Sequence, residues 1–413
     1  LERITRLLTF LNNPEQNINY IHIAGTNGKG STSFIIAEVL RKAGYKVGLF
    51  TSPHMHSYRE RITVNGQQIS DVTFLQYLNL IKDIVDNSIN QIFDHPTEFE
   101  VLTAVAFQYF KDLEVDIAVI ETGMGGIWDS TNVVTPLVSV ITSIDYDHTV
   151  YLGSTLAEIA ANKAGIIKKG VPVVVGPMEK EALKVVEYTA KTKGAPLYKS
   201  EYVKVFHIGS SLDSQIISLQ YPNGDIVEEI PFTLLGKYQL SNLACSLTAL
   251  SILSNKGFNV SYDDIKSILP SLKVPGRMEI IHRNPDILLD AAHNPHGAKA
   301  LAASLQQIFS DRKKTLVCGM VDDKDVYNTL RFLGDNTSCC IVTRPQGPRG
   351  DNWQQVLEIW HQLYTDKRVY AEENIIDAIQ LGLNCLREKD YLLITGSFYI
   401  LDTARRYLKN KTW

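Results

Sequence analysis

The chain has 413 residues, 45% apolar and 9% aromatic, which is enough for substantial cores and argues against disorder. A formal net charge of −4 gives no polybasic signature, so nucleic acid is not expected as a partner, and no apolar run reaches the roughly 18 residues of a membrane helix. The five cysteines, Cys245, Cys318, Cys339, Cys340 and Cys385, are odd in number, lack metal-ligand spacing and lie mostly in apolar surroundings, so free thiols in a reducing cytoplasm are expected.

The segment IHIAGTNGKGST, residues 21–32, reads as a strand, a glycine-rich turn and the start of a helix. Gly25 and Gly28 let the backbone turn tightly, and from Lys29 the apolar positions Phe34, Ile35, Ala37, Val39 and Leu40 continue at helical spacing. Inward amides, a helix N-terminus and a lysine at the mouth make an anion nest suited to a nucleotide polyphosphate. The pattern G-x-x-x-x-G-K-[ST] is not met: two residues separate Gly25 from Gly28, and Gly30 stands where the hydroxyl should be, with Ser31 one place later. The shorter loop resembles that of one group of ATP-dependent ligases.

Further strands are expected over residues 46–50, 116–121, 137–142 and 171–175, alternating with helices as in a mainly parallel sheet covered on both faces. Hairpins are expected at Asn65-Gly66 and at residues 222–225, the second as a small antiparallel edge. Near residues 270–277 (PSLKVPGR) the pattern breaks and a second α/β series begins, with strands over 287–292, 315–320, 339–343 and 392–395. The expected domains are residues 1–272 and 278–413, joined by a hinge at 273–277.

Several strands end in polar tips, where α/β sheets bind ligands. Glu121 follows the strand DIAVI and is placed to hold Mg²⁺ near the phosphates; read alone, it also suits an ordinary strand end. Ser52, in TSPH, is a candidate metal ligand or a simple ST-turn. His148, in DYDH, could complete a hard-metal site, although a lone strand-end histidine is more often structural. Lys163 closes the helical run LAEIAANK, and read alone it complements the helix dipole. Arg277, in PGR, has the planar fork suited to a transferring phosphoryl group. Asp290 and His293, in DAAHNP, and Ser397, in TGSFY, close later strands. Together these tips suggest an interdomain active site.

Taken in order, GTNGKGS, TSPH with RERI (residues 59–62), ETGMGG with DSTN, DYDH, NKAGII, PGR, DAAHNP and TGSFY resemble the folylpolyglutamate synthase and dihydrofolate synthase family of the Mur ligase superfamily. The resemblance covers nearly the whole chain. It implies a P-loop ATPase domain with a mainly parallel sheet, followed by a smaller Rossmann-like α/β domain. It implies ATP-dependent ligation of L-glutamate to the carboxylate of a reduced folate through an acyl phosphate, or alternatively to dihydropteroate, by a cytoplasmic monomer with these small-molecule substrates. By resemblance, Gly28, Lys29, Gly30, Ser31, Asn242, Arg277 and Asp290 hold ATP. Ser52, Glu121 and His148 hold one Mg²⁺, and a carbamylated Lys163 a second. Arg61 faces the folate, while His293 and Ser397 hold glutamate; Lys29, Arg277, His293 and Lys163 are the catalytic candidates. The chain departs from the common pattern at Ile127, Asn162, Tyr238 and Ala291, and the loop at Ile127 and Trp128 bears on which pterin is accepted.

Overall fold

All five residues of Tyr20–Ala24 are buried, so this strand needs a neighbour on each side and cover on each face. In the computed structural model, which describes residues 1–89 and 95–413, it is β1 of an eight-stranded sheet. The others are β2 (Val47–Phe50), β3 (Ile62–Val64), β4 (Gln67–Gln68), β5 (Ile117–Glu121), β6 (Val138–Ile141), β7 (Val173–Val175) and β8 (Leu197–Lys199). The order is β4-β3-β2-β5-β1-β6-β7-β8. From β2 to β8 the pairs are parallel, and β3 and β4 add an antiparallel edge. Asn65 and Gly66, at φ 50° and 76°, make the β3–β4 turn, both with the positive φ that a two-residue hairpin favours.

Register decides where the site forms. Ile23 pairs with Glu121, Ala24 with Ile141 and Phe50 with Ile120, so the segments leaving β1, β2, β5 and β6 emerge on one edge. The helix Lys29–Lys42 buries Ile35, Ile36, Val39 and Leu40. The helix Glu98–Asp112 opens with a Thr97–Glu100 capping box and buries Val105, Phe107 and Phe110.

The second expected hairpin forms apart from this sheet. Its strands, β10 (Gln215–Gln220) and β11 (Ile226–Phe232), join β9 (Lys204–Ser210) in a separate three-stranded sheet. Along β10 buried and half-buried residues alternate, as in a sheet with one covered face.

The second sheet contains β12 (Glu279–His282), β13 (Ile287–Asp290), β14 (Lys314–Cys318), β15 (Thr337–Val342), β16 (Arg368–Ala371) and β17 (Tyr391–Thr395), in the order β12-β13-β17-β14-β15-β16. Only β12 pairs antiparallel. Leu288, Leu316, Cys340 and Leu393 form its core with Leu301, Leu305 and Trp360. The chain forms two compact units. One contains residues 1–208, 216–231 and 239–272; the other contains 273–413 with the short segments 209–215 and 232–238. Among the described residues no helix is long and apolar enough to cross a membrane, and the cysteines are free thiols, all buried except the half-buried Cys385.

Candidate active site

Gly28 caps the helix Lys29–Lys42 in the left-handed region at φ 87°, where L side chains are strained. A Cβ there would also lie 2.2 Å from Asn242 Oδ1. The loop is tied down behind β6: Thr26 N donates to Ser143 O (2.7 Å), Thr26 Oγ1 to Asp145 O (3.0 Å), and Thr142 Oγ1 to Asn27 O (2.7 Å). Those contacts leave the first helical amides as the orphan donors of the turn. The Lys29 ammonium folds back onto Gly25 O at 3.2 Å. Ser31 is buried and accepts from Gln239 Nε2 (3.3 Å), and Gln239 Oε1 accepts from Asn242 Nδ2 (2.9 Å). Sequence reasoning passed over Gln239. Its one available signal is the spacing to Asn242, which puts both amides on one helix face.

Glu121 ends β5, buried, with Oε2 accepting the Ser52 backbone N–H at 3.1 Å. The same oxygen lies 3.4 Å from the Cβ position of Gly30, an ordinary contact distance, so the carboxylate sits beside the first turn of the helix. Here Ser52 meets Glu121 through its amide. His148 takes a left-handed conformation (φ 49°, ψ 40°) at the start of a short helix, its N–H on Asp147 Oδ1 at 2.9 Å.

Lys163 does more than end its helix. Its ammonium is not spent on its own helix end; it is buried and reaches Gly25 O at 2.9 Å, across 138 residues of chain. Burial, and then the Lys29 charge, pull it down to about 7, against Asp147 and Asp129. The loop carrying Ile127 is fixed to the same helix by Ile127 N on Asn162 O at 2.9 Å, and Trp128 beside it is exposed.

Among the described residues no three His, Cys, Asp or Glu side chains gather as a metal cluster. A cation at Glu121 would therefore draw on hydroxyl, phosphate and water oxygens as well. A buried carboxylate beside a phosphate loop is a hard-oxygen donor, which fits Mg²⁺.

Arg61 lies in a loop organised by its neighbour Glu60, another residue that sequence reasoning missed. Glu60 collects the amides of Met55, His56 and Ser57 at 2.8–2.9 Å and forms a capping box with Ser57. Arg61 Nε donates to His54 Nδ1 at 2.9 Å, and its guanidinium lies 5.3 Å from the Tyr58 ring centroid.

In the second unit, the Pro275–Arg277 turn is held by Gly276 N on Glu279 Oε2 (2.9 Å), and Arg405 Nε grips both oxygens of Glu279 at 2.9 and 3.0 Å. Asp290 is buried and accepts from Met278 N (2.9 Å), Ala292 N (2.9 Å) and the Tyr238 hydroxyl (3.3 Å). Burial pushes its carboxyl up, and the Arg277 charge opposes this. His293 Nδ1 lies 2.8 Å from Ala291 O. A carbonyl only accepts, so Nδ1 carries the hydrogen and Nε2 of the neutral ring is an acceptor. Ser397 caps the helix Phe398–Asn410, with Oγ accepting Tyr399 N at 3.1 Å. Asn294 does the same for the helix after β13, accepting Gly297 N at 2.8 Å. Thr395 Oγ1 donates to Ala292 O at 3.2 Å, which ties the tips that carry His293 and Ser397.

The first unit thus gathers Gly28, Lys29, Gly30, Ser31, Ser52, Glu121, Lys163 and Asn242 about one loop, with His148 on the adjoining tip and Arg61 in its own loop. The second gathers Arg277, Asp290, His293 and Ser397 along one sheet edge.

The chain matches the Mur ligase middle domain over residues 23–250 and the Mur ligase glutamate ligase domain over residues 276–398. It is 35% identical over 411 residues to the dihydrofolate synthase/folylpolyglutamate synthase of Bacillus subtilis, covering 99% of this chain and 95% of that protein. Among solved structures it is similar to Mycobacterium tuberculosis folylpolyglutamate synthase complexed with ADP and AMPPCP, with a TM-score of 0.93 and 31% identity over 100% of this chain and 96% of that one. It is also similar to E. coli FolC in complex with DHPP and ADP, with a TM-score of 0.87 and 30% identity over 98% and 92% of the two chains.

Proposed function

We propose how the residues divide the work in this chain, which belongs to the folylpolyglutamate synthase/dihydrofolate synthase family of Mur ligases and is an ATP-dependent ligase joining L-glutamate to a folate carboxylate. Gly28, Lys29, Gly30 and Ser31 bind the ATP phosphates, and Asn242, Arg277 and Asp290 complete the nucleotide contacts. Ser52, Glu121 and His148 hold one Mg²⁺, and Lys163, once carbamylated, holds a second. When bound, such ions neutralise charge on the transferring phosphoryl group. A buried lysine brought down to about 7 supports that reading of Lys163, because the neutral amine is the form that adds CO₂, losing a proton as the carbamate forms.

A carboxylate is a poor acyl donor at neutral pH. The folate carboxylate, with Arg61 facing the folate, attacks the γ-phosphorus of ATP; ADP leaves and an acyl phosphate forms. Lys29 and Arg277 disperse the charge that accumulates on the phosphoryl oxygens. Glutamate, held by His293 and Ser397, then attacks the acyl carbon through its amine, and phosphate leaves. The amine must first lose a proton, and the acceptor Nε2 of His293 is suited to take it. The setting is a reducing cytoplasm, supported by the free and mostly buried thiols, and the enzyme acts as a monomer.

The observation that carries this reading is the buried Glu121 carboxylate held against Gly30, in a loop whose Gly25 carbonyl receives both Lys29 and Lys163. A second acceptor, dihydropteroate, is favoured by the dihydrofolate synthase activity in the name of the Bacillus subtilis relative. ADP release is measured with glutamate plus tetrahydrofolate, glutamate plus dihydropteroate, and each acceptor without glutamate. Release with tetrahydrofolate alone marks a polyglutamate synthase, release with dihydropteroate alone a dihydrofolate synthase, and release with both a bifunctional enzyme. Turnover indifferent to glutamate would overturn the ligase reading.

A further inference from the structure

The backbone of Arg277 is fixed by its turn. Gly276 N donates to Glu279 and Gly276 O accepts from Ala291 N at 2.9 Å. A turn does not fix a guanidinium at the end of a long, flexible side chain. An arginine that binds a phosphoryl group needs a set plane and free N–H edges, because the planar fork makes paired bonds to oxygens. A carboxylate partner orients the fork by occupying those edges. An aromatic face orients it through the π system of the guanidinium and leaves the edges for ligand.

Phe398 offers such a face. The Arg277 guanidinium carbon lies 5.2 Å from the Phe398 ring centroid, and both residues are half-buried, so the contact is partly desolvated and correspondingly stronger. Phe398 is the first residue of the helix that Ser397 caps, so its backbone is fixed.

We infer that Phe398 is a positioning residue for Arg277: its ring face sets the guanidinium plane, keeps the N–H edges for the γ-phosphoryl oxygens, and ties the arginine to the helix end capped by Ser397. This rests on the phosphoryl-binding role proposed for Arg277. Loss of the ring face weakens the hold on the terminal phosphates and leaves the rest of the nucleotide site and the glutamate contacts alone.

The test is calorimetric binding of AMPPCP and of AMP to the full-length enzyme, with steady-state KM values alongside. Phe398→Leu keeps an apolar side chain at the helix start and removes the π face. It should weaken AMPPCP about three- to tenfold, the loss expected of one partly desolvated cation–π contact, while AMP binding and the glutamate KM stay within about twofold. Phe398→Trp, which restores a π face, should bind AMPPCP more tightly than Phe398→Leu. Arg277→Gln removes the cation and the fork, so adding Phe398→Leu to it should cost little more. Strictly additive losses, or a Phe398→Leu protein that binds AMPPCP like the wild type while Arg277→Gln does not, would overturn the inference and leave the role of Arg277 standing. Normal AMPPCP binding by Arg277→Gln would instead remove that role and the inference with it.

Discussion

The ammonium groups of Lys29 and Lys163 donate to one carbonyl oxygen, that of Gly25, at 3.2 and 2.9 Å. Two cations on one acceptor repel each other in a buried site, so the proposed roles divide them: Lys29 stays charged for phosphate, and Lys163 becomes a carbamate. Lys29→Met is expected to lose nucleotide binding and at least about 100-fold in ADP release, the scale of removing one preorganised charge partner. Lys163→Arg keeps a cation that cannot add CO₂. It should lose turnover to a similar extent while still binding ADP. Equilibrium binding and ADP release on the two variants separate the roles, and a Lys29→Met enzyme at the wild-type rate would sink the account.

Gly28 carries two constraints at once, a left-handed φ of 87° and a Cβ position 2.2 Å from Asn242 Oδ1. Gly28→Ala should therefore weaken ATP binding by on the order of 2 kcal/mol, the scale of one strained backbone position. Gly170→Ala, at φ 72° with nothing within 4 Å of the new Cβ, has the backbone strain without the collision and lies outside the loop. It should lose some stability and no ATP affinity. Comparing thermal unfolding with ATP binding for the two variants checks this.

The fold was most legible where strands are buried throughout. The runs in β1, β5, β6, β13, β14 and β17 are buried at every residue, and continuous apolar sequence reads as a central strand. Edge strands escaped: β8, β12 and β16 are short and partly exposed, so they lack that pattern. At the site, the backbone tips could be read from motifs, but the partners could not. Lys163 meets Gly25 from 138 positions away, and Ser31 meets Gln239 across 208; no local period encodes such contacts. Ser397 looks like a ligand group in sequence, and it caps a helix as well.

Lys314 supplies a pH dependence in the second unit. It is buried, donates to the Asp335 carbonyl, and is lowered from its ordinary 10.5 to about 8 by burial and then by Lys367. Below pH 8 both the native and unfolded chains hold the proton, and the cost of burying the charge stands in full. Between about 8 and 10.5 the unfolded chain binds more protons, so rising pH favours the native state. Lys314→Met lacks this term, so the stability difference between variant and wild type should change by on the order of 3 kcal/mol between neutral and strongly alkaline pH. Urea unfolding of both proteins at several pH values checks it. Parallel curves would mean that Lys314 titrates alike in both states.

The glutamate-binding role proposed for His293 confines it to the second chemical step. Nδ1 lies on Ala291 O at 2.8 Å, and in the proposed step Nε2 acts as the base toward the glutamate ammonium, a contribution worth about 10² to 10⁴ in rate. His293→Ala should lower amide formation by roughly that factor while leaving acyl phosphate formation intact. Hydroxylamine separates the two steps, because it is a nucleophile at neutral pH without help and traps an acyl phosphate as a hydroxamate. The variant should make hydroxamate from folate, ATP and hydroxylamine at close to the wild-type rate, and little folylglutamate from glutamate. If both products fall together, His293 acts before the acyl phosphate forms, and its assignment to the glutamate step is wrong.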